Sequence, residues 1–319
     1  MWGNRLAARN PAAPQCAMAD GPLPRVLAKA GGERTLELLT GLPGADLTTL
    51  MLAVMRERAA RLSGPELLRR GRTDRFVASS DIPFDRLRAA ESAALDALGP
   101  EFEKVTLSPL APLGLHSVLG AVHQNKVVST IRGSEVAADP TNGLALEAAI
   151  RRQDTEEVVR LAASQRVVRA QRVDGPAMFA HFTLLGLVAA GRDTGNLAFE
   201  RRYSAEVIQA MADAVRAQLD APLEVRLTVL DPRFSAVADA IREAMPGEVT
   251  DDPERETGRG YYTGLCFKLA CHLDGERFEL GDGGFVPWTQ ELLGNRKERL
   301  FIGGLGIDRL ATLGDQRVF

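Results

Sequence analysis

The sequence is poor in cysteine and has no long apolar segment. Its 319 residues include three cysteines, Cys16, Cys266 and Cys271, an odd number without a CxxC pair. This excludes a disulfide framework and favours a reducing compartment. The longest apolar stretch, at 182–190, is far shorter than the roughly 20 residues that a membrane helix requires. We therefore expect a cytoplasmic protein.

The chain also has no excess of basic charge. Hydrophobic residues make up 45% of it, charged residues 25%, and the formal net charge is -3. These values are typical of a globular domain. Because no general positive field is present, contact with RNA would need a local basic patch.

Common short motifs for phosphate or metal chemistry are missing from the sequence. It has no GxxxxGK loop, no GxGxxG after a strand, no HExxH and no GxSxG. The four histidines, His116, His123, His181 and His272, lack metal-ligand spacing, so we expect a structural role for each. A protein of this sequence that uses ATP must do so through another architecture.

Composition and periodicity divide the chain into three parts: a disordered tail at 1–22, a helical region at 23–80 and a larger domain at 81–319. The tail is rich in Ala, Pro, Asn and Gly, and its second methionine, Met18, leaves the start of the chain open. In the helical region, Asp46 is the candidate cap of a helix over 47–55, and Ser63 with Pro65 indicates a second helix start. The arginines of this region form either a solvated face or an RNA-binding surface. They are Arg56, Arg58, Arg61, Arg69, Arg70, Arg72 and Arg75.

The larger domain predicts an α+β fold with a mostly antiparallel sheet. Strands are predicted at 102–107, 126–131, 166–170, 181–189, 224–230, 265–271 and 301–304. Helices are predicted at 85–99, 144–152, 155–163, 204–219 and 234–245. Strands interspersed with helices, with a glycine-rich end, give this fold class.

Three segments resemble the ordered motifs of the class II aminoacyl-tRNA synthetases. The run at 99–109, GPEFEKVTLSP, is similar to motif 1, a helix that leads into a strand ending at a proline. The runs RVVRAQ at 166–171 and HFTLLGLV at 181–188 resemble motif 2, and GGLGIDRL at 303–310 resembles motif 3. Motif 1 implies a homodimer, because its strand would otherwise expose Phe102, Val105 and Leu107.

Further segments between these motifs are similar to the histidyl type. They are STIRGSE at 129–135 through DPT at 139–141, GYYTG at 260–264 and GDGG at 281–284. The resemblance implies a mostly antiparallel sheet flanked by helices, with the helical N-terminal region as an addition. About ten residues follow motif 3, so we expect no anticodon-binding domain.

The resemblance also implies roles in ATP binding. Arg169 would hold the α-phosphate and Arg309 the γ-phosphate, Phe182 would stack on adenine, and Gln171 would take the place of the usual glutamate near adenine. Formation of an acyl adenylate needs fixed positive charge around the phosphorus under attack, and a guanidinium binds phosphate bidentately. Magnesium is expected on the phosphates, with Asp282 as a candidate ligand and the metal-binding residues otherwise unknown.

On the amino-acid side, the resemblance places Asp139 and Thr141 at the substrate's amino group and Tyr261 and Tyr262 at the substrate, with one of the two tyrosines touching it. Asp139 can alternatively cap a helix before Pro140, and Arg309 can alternatively pair with Asp308.

Two departures from the histidyl pattern affect this side of the site. Leu184 and Val188 stand where that family has a glutamine and a glutamate, and neither can accept a proton from imidazole. The arginine that the family places ahead of its tyrosines is out of register, with Arg255 or Arg259 as possible substitutes.

Three functions fit these patterns. The first is an AMP-forming ligase that activates an amino acid or related carboxylate and passes it to a tRNA, a carrier or a small amine. The second is a noncatalytic regulator, similar to the regulatory subunit of ATP phosphoribosyltransferase, which acts on a partner enzyme. The third is a tRNA-binding or scaffold protein.

Overall fold

A computed structural model of the chain describes residues 21–120, 122–170, 180–258 and 260–314. Most of the predicted tail, together with Gln171 and Arg259, lies outside these described residues. The chain divides into two compact units, with the boundary between Leu62 and Ser63. Among the described helices, none is long and apolar enough to cross a membrane.

The first unit is helical. It contains α1 (Leu23–Lys29), α2 (Glu33–Gly41) and α3 (Gly44–Ala59), and none of the residues in these three described helices is buried. The helix predicted over 47–55 is confirmed within α3. The predicted cap was wrong: Pro43 occupies the N-cap position, and Asp46 lies in the first turn, where its charge still favours the helix dipole.

Two more helices precede the sheet in the second unit. Ser63 caps α4 (Gly64–Thr73) by accepting a hydrogen bond from the Glu66 amide, with proline in the first turn, so the predicted helix start is confirmed. Helix α5 (Phe84–Asp96) buries Ala90 and Ala94 against the main core, as the helix predicted at 85–99 requires.

The second unit is built on an eight-stranded sheet. Its strands, in spatial order, are β1 (Glu103–Lys104), β4 (Val159–Val168), β5 (His181–Arg192), β10 (Glu298–Gly306), β9 (Glu276–Phe285), β8 (Thr263–Leu273), β6 (Leu223–Val229) and β7 (Val249–Asp251). Neighbours are antiparallel except at the two edges, where β1 and β4 and also β6 and β7 run parallel. A separate pair joins β2 (Leu110–Pro112) to β3 (Ser134–Val136).

Helices cover both faces of this sheet, which confirms the predicted α+β class. One face packs against α5, α8 (Ala198–Arg216), α9 (Ser235–Ala244) and α11 (Ile307–Leu313). The other face packs against α6 (Leu115–Val118), α7 (Pro140–Arg152) and α10 (Trp288–Leu293). Helix α7 packs on β4, β5 and β10, and α10 packs beside it on β10.

Three predicted elements were wrong. Residues 155–163 were predicted as a helix, but β4 begins at Val159, and Leu161, Ala162 and Ala163 are all buried because helices cover both faces of this strand. The strand predicted at 126–131 is irregular apart from a single bridge at Ser129. The strand predicted at 102–107 is reduced to Glu103–Lys104.

Candidate functional site

Two strand ends and one helix start meet at one edge of the sheet. Arg169 directly follows β4, and Phe182 is the second residue of β5. Strand β10 runs antiparallel to β5 and ends with Gly306 opposite Leu184. Because α11 starts immediately after β10, Arg309 lies at this same edge. The antiparallel register thus brings motifs 2 and 3 to one side of the sheet.

Arg169 is held by the loop that precedes α7. Its Nε donates to the carbonyl of Ala138 at 2.9 Å, and its Nη2 donates to Oδ2 of Asp139 at 3.1 Å. Its guanidinium carbon lies 5.1 Å from the centre of the Phe182 ring, a distance at which a cation is attracted to the ring face. Three of the predicted site residues therefore form one cluster.

Asp139 has a structural task as well. Its Oδ1 accepts from the amide of Thr141 at 2.9 Å and from the Thr141 hydroxyl at 2.7 Å, so it caps α7 while its other oxygen meets Arg169. The helix-cap interpretation is confirmed. Binding of the substrate's amino group by Asp139 and Thr141 stays a prediction.

Arg309 is exposed and donates to the backbone carbonyl of Glu279. It does not pair with Asp308: that carboxylate is buried, and its Oδ2 accepts from the amide of Thr183 at 2.7 Å. The alternative in which Asp308 neutralises Arg309 was therefore wrong. Arg309 contacts no other predicted site residue in the described part of the chain, although it shares their edge of the sheet.

Glycines form an open floor beside this cluster. Gly304 of β10 lies in register with Gly186 of β5 on one side and with Asp282 of β9 on the other. A side chain at Gly186 would collide with Pro140, whereas a Cβ at Gly304 would meet no atom within 4 Å. Open space therefore lies over the sheet at Gly304.

The two tyrosines lie in the turn that leads into β8. Tyr262 is buried and donates from its hydroxyl to Oδ2 of Asp282 at 3.3 Å. Tyr261 is half-buried and packs edge-on against Trp288, with 5.5 Å between ring centres. Burial raises the pKa of Tyr261, and the negative charges of Asp139 and Asp282 raise it further. Both tyrosines are therefore neutral hydrogen-bonding groups at neutral pH. Contact of only one of them with the substrate stays a prediction.

Arg255 takes a structural position beneath Asp282. Its side chain is 1% exposed; its Nη2 donates to Oδ2 of Asp282 at 3.1 Å, and its Nη1 and Nε donate to the carbonyls of Phe267 and Thr257. Buried in this way, it orients Asp282 and is closed off from a ligand. Arg259, the other possible substitute, lies outside the described residues.

Asp282 lies on β9, in register with Gly304 of β10. Its carboxylate is set among neighbouring groups that restrict its hydration, and this desolvation raises its pKa against the attraction of Arg255. Even so, 47% of its side-chain surface remains accessible. The described residues contain no cluster of three or more His, Cys, Asp or Glu side chains that could hold a metal ion. Asp282 as a magnesium ligand stays a prediction.

Sequence analysis missed a buried pair that supports the Arg169 loop. His116 is 1% exposed and Glu135 is fully buried, with 2.6 Å between His116 Nδ1 and Glu135 Oε1. His116 Nε2 accepts from the amide of Ala138 at 3.0 Å, so Nδ1 carries the proton. The Ala138 carbonyl in turn accepts from Arg169. The structural role expected for His116 thus extends to the site.

Glu135 binds four donors at the centre of this support. Its oxygens accept from the amides of Gly114 and His116, from the His116 ring and from the Gln124 amide group. Burial alone would raise the pKa of this carboxyl, but these hydrogen bonds outweigh it and lower the pKa to about 2. No short motif marks the pair, because its members lie 19 residues apart.

The positions that would meet an imidazole are apolar here, as the sequence indicates. Val188 is fully buried and lies in register between Leu161 of β4 and Ile302 of β10. Leu184 is half-buried and lies between Gln165 and Gly306. The space at Val188 is occupied by core, so no polar acceptor for imidazole lies there.

The fold is similar to several solved structures. An ATP phosphoribosyltransferase regulatory subunit/histidyl-tRNA synthetase from Bacillus halodurans matches with a TM-score of 0.58 and 15% identity, over 75% of this chain and 82% of that one. Histidyl-tRNA synthetase from S. aureus matches with a TM-score of 0.58 and 13% identity, over 75% of this chain and 72% of the other.

A pyrrolysyl-tRNA synthetase from Desulfitobacterium hafniense matches with a TM-score of 0.50 and 16% identity, over 79% of this chain and 75% of that one. No family model and no curated protein matches the sequence. At these identities the likeness concerns the fold alone: the chain has the fold of a class II aminoacyl-tRNA synthetase catalytic domain of the histidyl type.

Proposed function

We propose that this protein is an ATP-dependent, AMP-forming ligase that activates an amino acid or a related carboxylate as an acyl adenylate. The observation that carries the proposal is the cluster of Arg169, Phe182 and Asp139 at the sheet edge where Arg309 also lies. Two arginines, 140 positions apart in sequence, lie at one edge of the sheet beside the open space at Gly304. The phosphates of a bound nucleotide need positive charge placed in this way.

Each residue of the cluster has a physical task in this reaction. The substrate carboxylate attacks the α-phosphate while pyrophosphate leaves, so negative charge develops around that phosphorus. Arg169, fixed by Ala138 and Asp139, supplies a positioned cation, and exposed Arg309 supplies a second one for the outer phosphates. Phe182 offers an aromatic face to adenine, and Gly304 leaves room for the nucleotide above the sheet. The nucleotide's phosphates would carry the magnesium ion.

The amino-acid side favours a substrate other than histidine. Imidazole recognition requires hydrogen-bond acceptors, and a site that lacks them leaves the ring N–H unpaired in an apolar setting. Val188 and Leu184 offer hydrocarbon at the two positions concerned, and Val188 is packed into the core. We therefore propose that histidine is a poor substrate.

The test is exchange of labelled pyrophosphate into ATP, screened across the amino acids, in wild type and in Arg169→Ala and Arg309→Ala. Exchange reports adenylate formation without knowledge of the acyl acceptor. Each variant should lose at least about a hundredfold in exchange, because a positioned charge that faces the transition state is removed.

Arg233→Ala is the matched control for this test. Arg233 is an exposed arginine paired with Asp231 at a different edge of the sheet, and its removal should leave exchange unchanged. An equal loss in all three variants would mean that general charge or folding, and not phosphate binding, explains the result. Full exchange in Arg169→Ala would contradict the proposed role of this residue.

A noncatalytic regulator is the second candidate function. It is favoured by the loss of polar groups at Leu184 and Val188, and by the likeness to a structure whose name includes a regulatory subunit of ATP phosphoribosyltransferase. Saturable ATP binding by the folded protein, together with no exchange for any amino acid, would favour the regulator over the ligase.

We further propose that the protein is a homodimer. The second unit exposes large apolar side chains on β2, the turn after it, α6 and α7, and a groove of about 160 Å³ is lined in part by Leu110 and Ile150. These exposed side chains are Leu110, Leu113, Val118 and Ile150. Phe102, predicted for this interface, was a wrong choice because it is buried within its own chain. Exposed large apolar side chains concentrated on neighbouring elements are typical of an interface.

A further inference from the structure

Asp282 is an acidic group that the reaction as proposed does not use. It lies on β9, in register with Gly304 of β10 and Lys268 of β8. Lys268 does not neutralise it, because the ammonium of Lys268 is 2.7 Å from Oε2 of Glu279. The carboxylate therefore sits beside the open space over Gly304 without a lysine partner.

The hydrogen bonds that Asp282 accepts from the described residues go to one of its two oxygens. Buried Arg255 and the Tyr262 hydroxyl both donate to Oδ2, at 3.1 and 3.3 Å. These two contacts fix the plane of the carboxylate from below. No hydrogen bond from the described part of the chain to Oδ1 accompanies these two contacts, and nearly half of the side-chain surface remains accessible, so Oδ1 can accept from a ligand. An acceptor held in this way is suited to a charged donor.

A second carboxylate lies near enough to act on Asp282. The negative charge of Asp139 raises the pKa of Asp282, and both carboxylates raise the pKa of Tyr261 between them. In the free protein Arg169 compensates Asp139 and Arg255 compensates Asp282. When Arg169 turns to a phosphate, as proposed above, two carboxylates share one remaining cation, and a cationic ligand restores the balance.

We propose that Asp282 is a specificity residue that binds a primary ammonium group of the substrate through Oδ1. The inference rests on the proposed function, because it places Asp282 in the amino-acid half of the adenylate-forming cleft. The ammonium comes either from the α-amino group of an amino acid or from the end of a side chain such as that of lysine.

The inference is tested by calorimetric titration with four compounds of similar length: norleucine, 6-aminohexanoate, lysine and hexanoate. They carry an α-ammonium, a terminal ammonium, both and neither. An ammonium-bearing compound should bind wild type more tightly than hexanoate does. Asp282→Asn should weaken that binding by about tenfold to a hundredfold, the scale of a hydrogen bond between charged groups, and Asp282→Glu should restore part of it. Loss for norleucine identifies the α-ammonium, and loss for 6-aminohexanoate identifies the terminal one.

Glu276→Gln is the matched control, because it removes the same charge from an exposed position of the same strand, six residues from Asp282, and leaves the pair of Lys268 and Glu279 intact. It should change amine affinity by less than about threefold, because solvent and salt screen a charge at that separation. Equal amine affinity in wild type and a folded Asp282→Asn would overturn the inference, and so would amines that bind no better than hexanoate.

Titration of ATP into the same variants separates this inference from the proposed function. If Asp282→Asn binds ATP normally and loses the amines, the inference is supported. If the wild type binds the amines but supports no pyrophosphate exchange, and Asp282→Asn loses the amine binding, the ligase proposal fails while the ammonium site stands. If ATP binds and amine affinity is unchanged in the variant, the ammonium site fails alone.

Discussion

The two halves of the candidate cleft differ in how closely they keep the pattern of the class II fold. In the nucleotide half, Arg169 contacts Phe182 and Asp139 at the sheet edge where Arg309 also lies, beside the open space at Gly304. In the amino-acid half, Val188 is packed in the core at the position where an acceptor for imidazole would stand. Chemistry at phosphorus requires the same charges for every substrate, whereas side-chain recognition changes with the substrate. This difference supports the proposal of an adenylate-forming ligase whose substrate is not histidine.

The nucleotide half is open to a steric test at Gly304. A Cβ there would meet no atom within 4 Å, so we expect Gly304→Val to fold, and valine suits a strand. Its side chain would occupy the proposed nucleotide floor, so ATP affinity should fall by at least about a hundredfold, the cost of displacing a bound group by an ångström or more. Calorimetry with ATP and a melting curve measure the two effects.

Gly303→Ala is the contrasting neighbour for this test. A Cβ at Gly303 points to the opposite face of the sheet and would collide with Sδ of Met211. This variant should melt at a lower temperature and keep its affinity for ATP. Normal ATP binding by a folded Gly304→Val would mean that the nucleotide does not rest on this floor.

The buried pair of His116 and Glu135, which supports the Arg169 loop, should make the stability of the protein depend on pH. The folded-state pKa of Glu135 is lowered to about 2, so its hydrogen bonds contribute stability that is fully present above the unfolded pKa near 4.5 and is lost as the pH falls towards 2. Glu135→Gln should reduce the free energy of unfolding by about 2 to 3 kcal/mol at pH 7, and the difference from wild type should shrink between pH 4.5 and pH 2. Urea unfolding at several pH values measures this.

Glu103→Gln is the control for acid stability. The pKa of Glu103 is also lowered by a hydrogen bond and attraction from an arginine, Arg151, but its carboxyl is exposed, so solvent weakens the pair. Its unfolding curve should follow wild type at every pH. A Glu135→Gln protein whose deficit stays constant down to pH 2 would show that Glu135 is not the group that titrates.

The smallest expected effect concerns the dimer. Val118 and Phe84 are equally exposed, each at 74%, but only Val118 belongs to the apolar surface proposed as the interface. Val118→Asp should weaken dimerisation by about tenfold, since a charge is placed in an apolar contact, while Phe84→Asp should have no effect. Sedimentation at several concentrations distinguishes them. A wild-type protein that is monomeric at micromolar concentration would contradict the proposed dimer.

Local patterns predicted much of the fold. Alternating or continuous apolar residues indicated β5, β6, β8 and β10, and Ser63 marked the start of α4. The segment 155–163, which includes the start of β4, was predicted as a helix because its Glu, Leu and Ala residues are helix formers, and only pairing with β5 makes β4 a strand. Propensity is a weak guide where two neighbouring strands and two helix layers enclose a segment.

The candidate site, like the fold, could be predicted only in part from the sequence. The motif residues Arg169, Phe182 and Arg309 could be chosen because each lies within a recognisable run of sequence. The contacts of Asp282 with Arg255 and of His116 with Glu135 could not, since they join residues 27 and 19 positions apart through the tertiary fold. The sequence supplied the charges of the cleft, and the sheet register determined which of them meet.

The most direct test of the difference between the two halves is calorimetry on the wild-type protein with ATP and, separately, with histidine. The account predicts saturable ATP binding, because the nucleotide half keeps both arginines and its open floor. It predicts no measurable histidine binding at millimolar concentration, because Val188 and Leu184 offer no acceptor to the imidazole. Tight histidine binding, or a folded protein that fails to bind ATP, would contradict it.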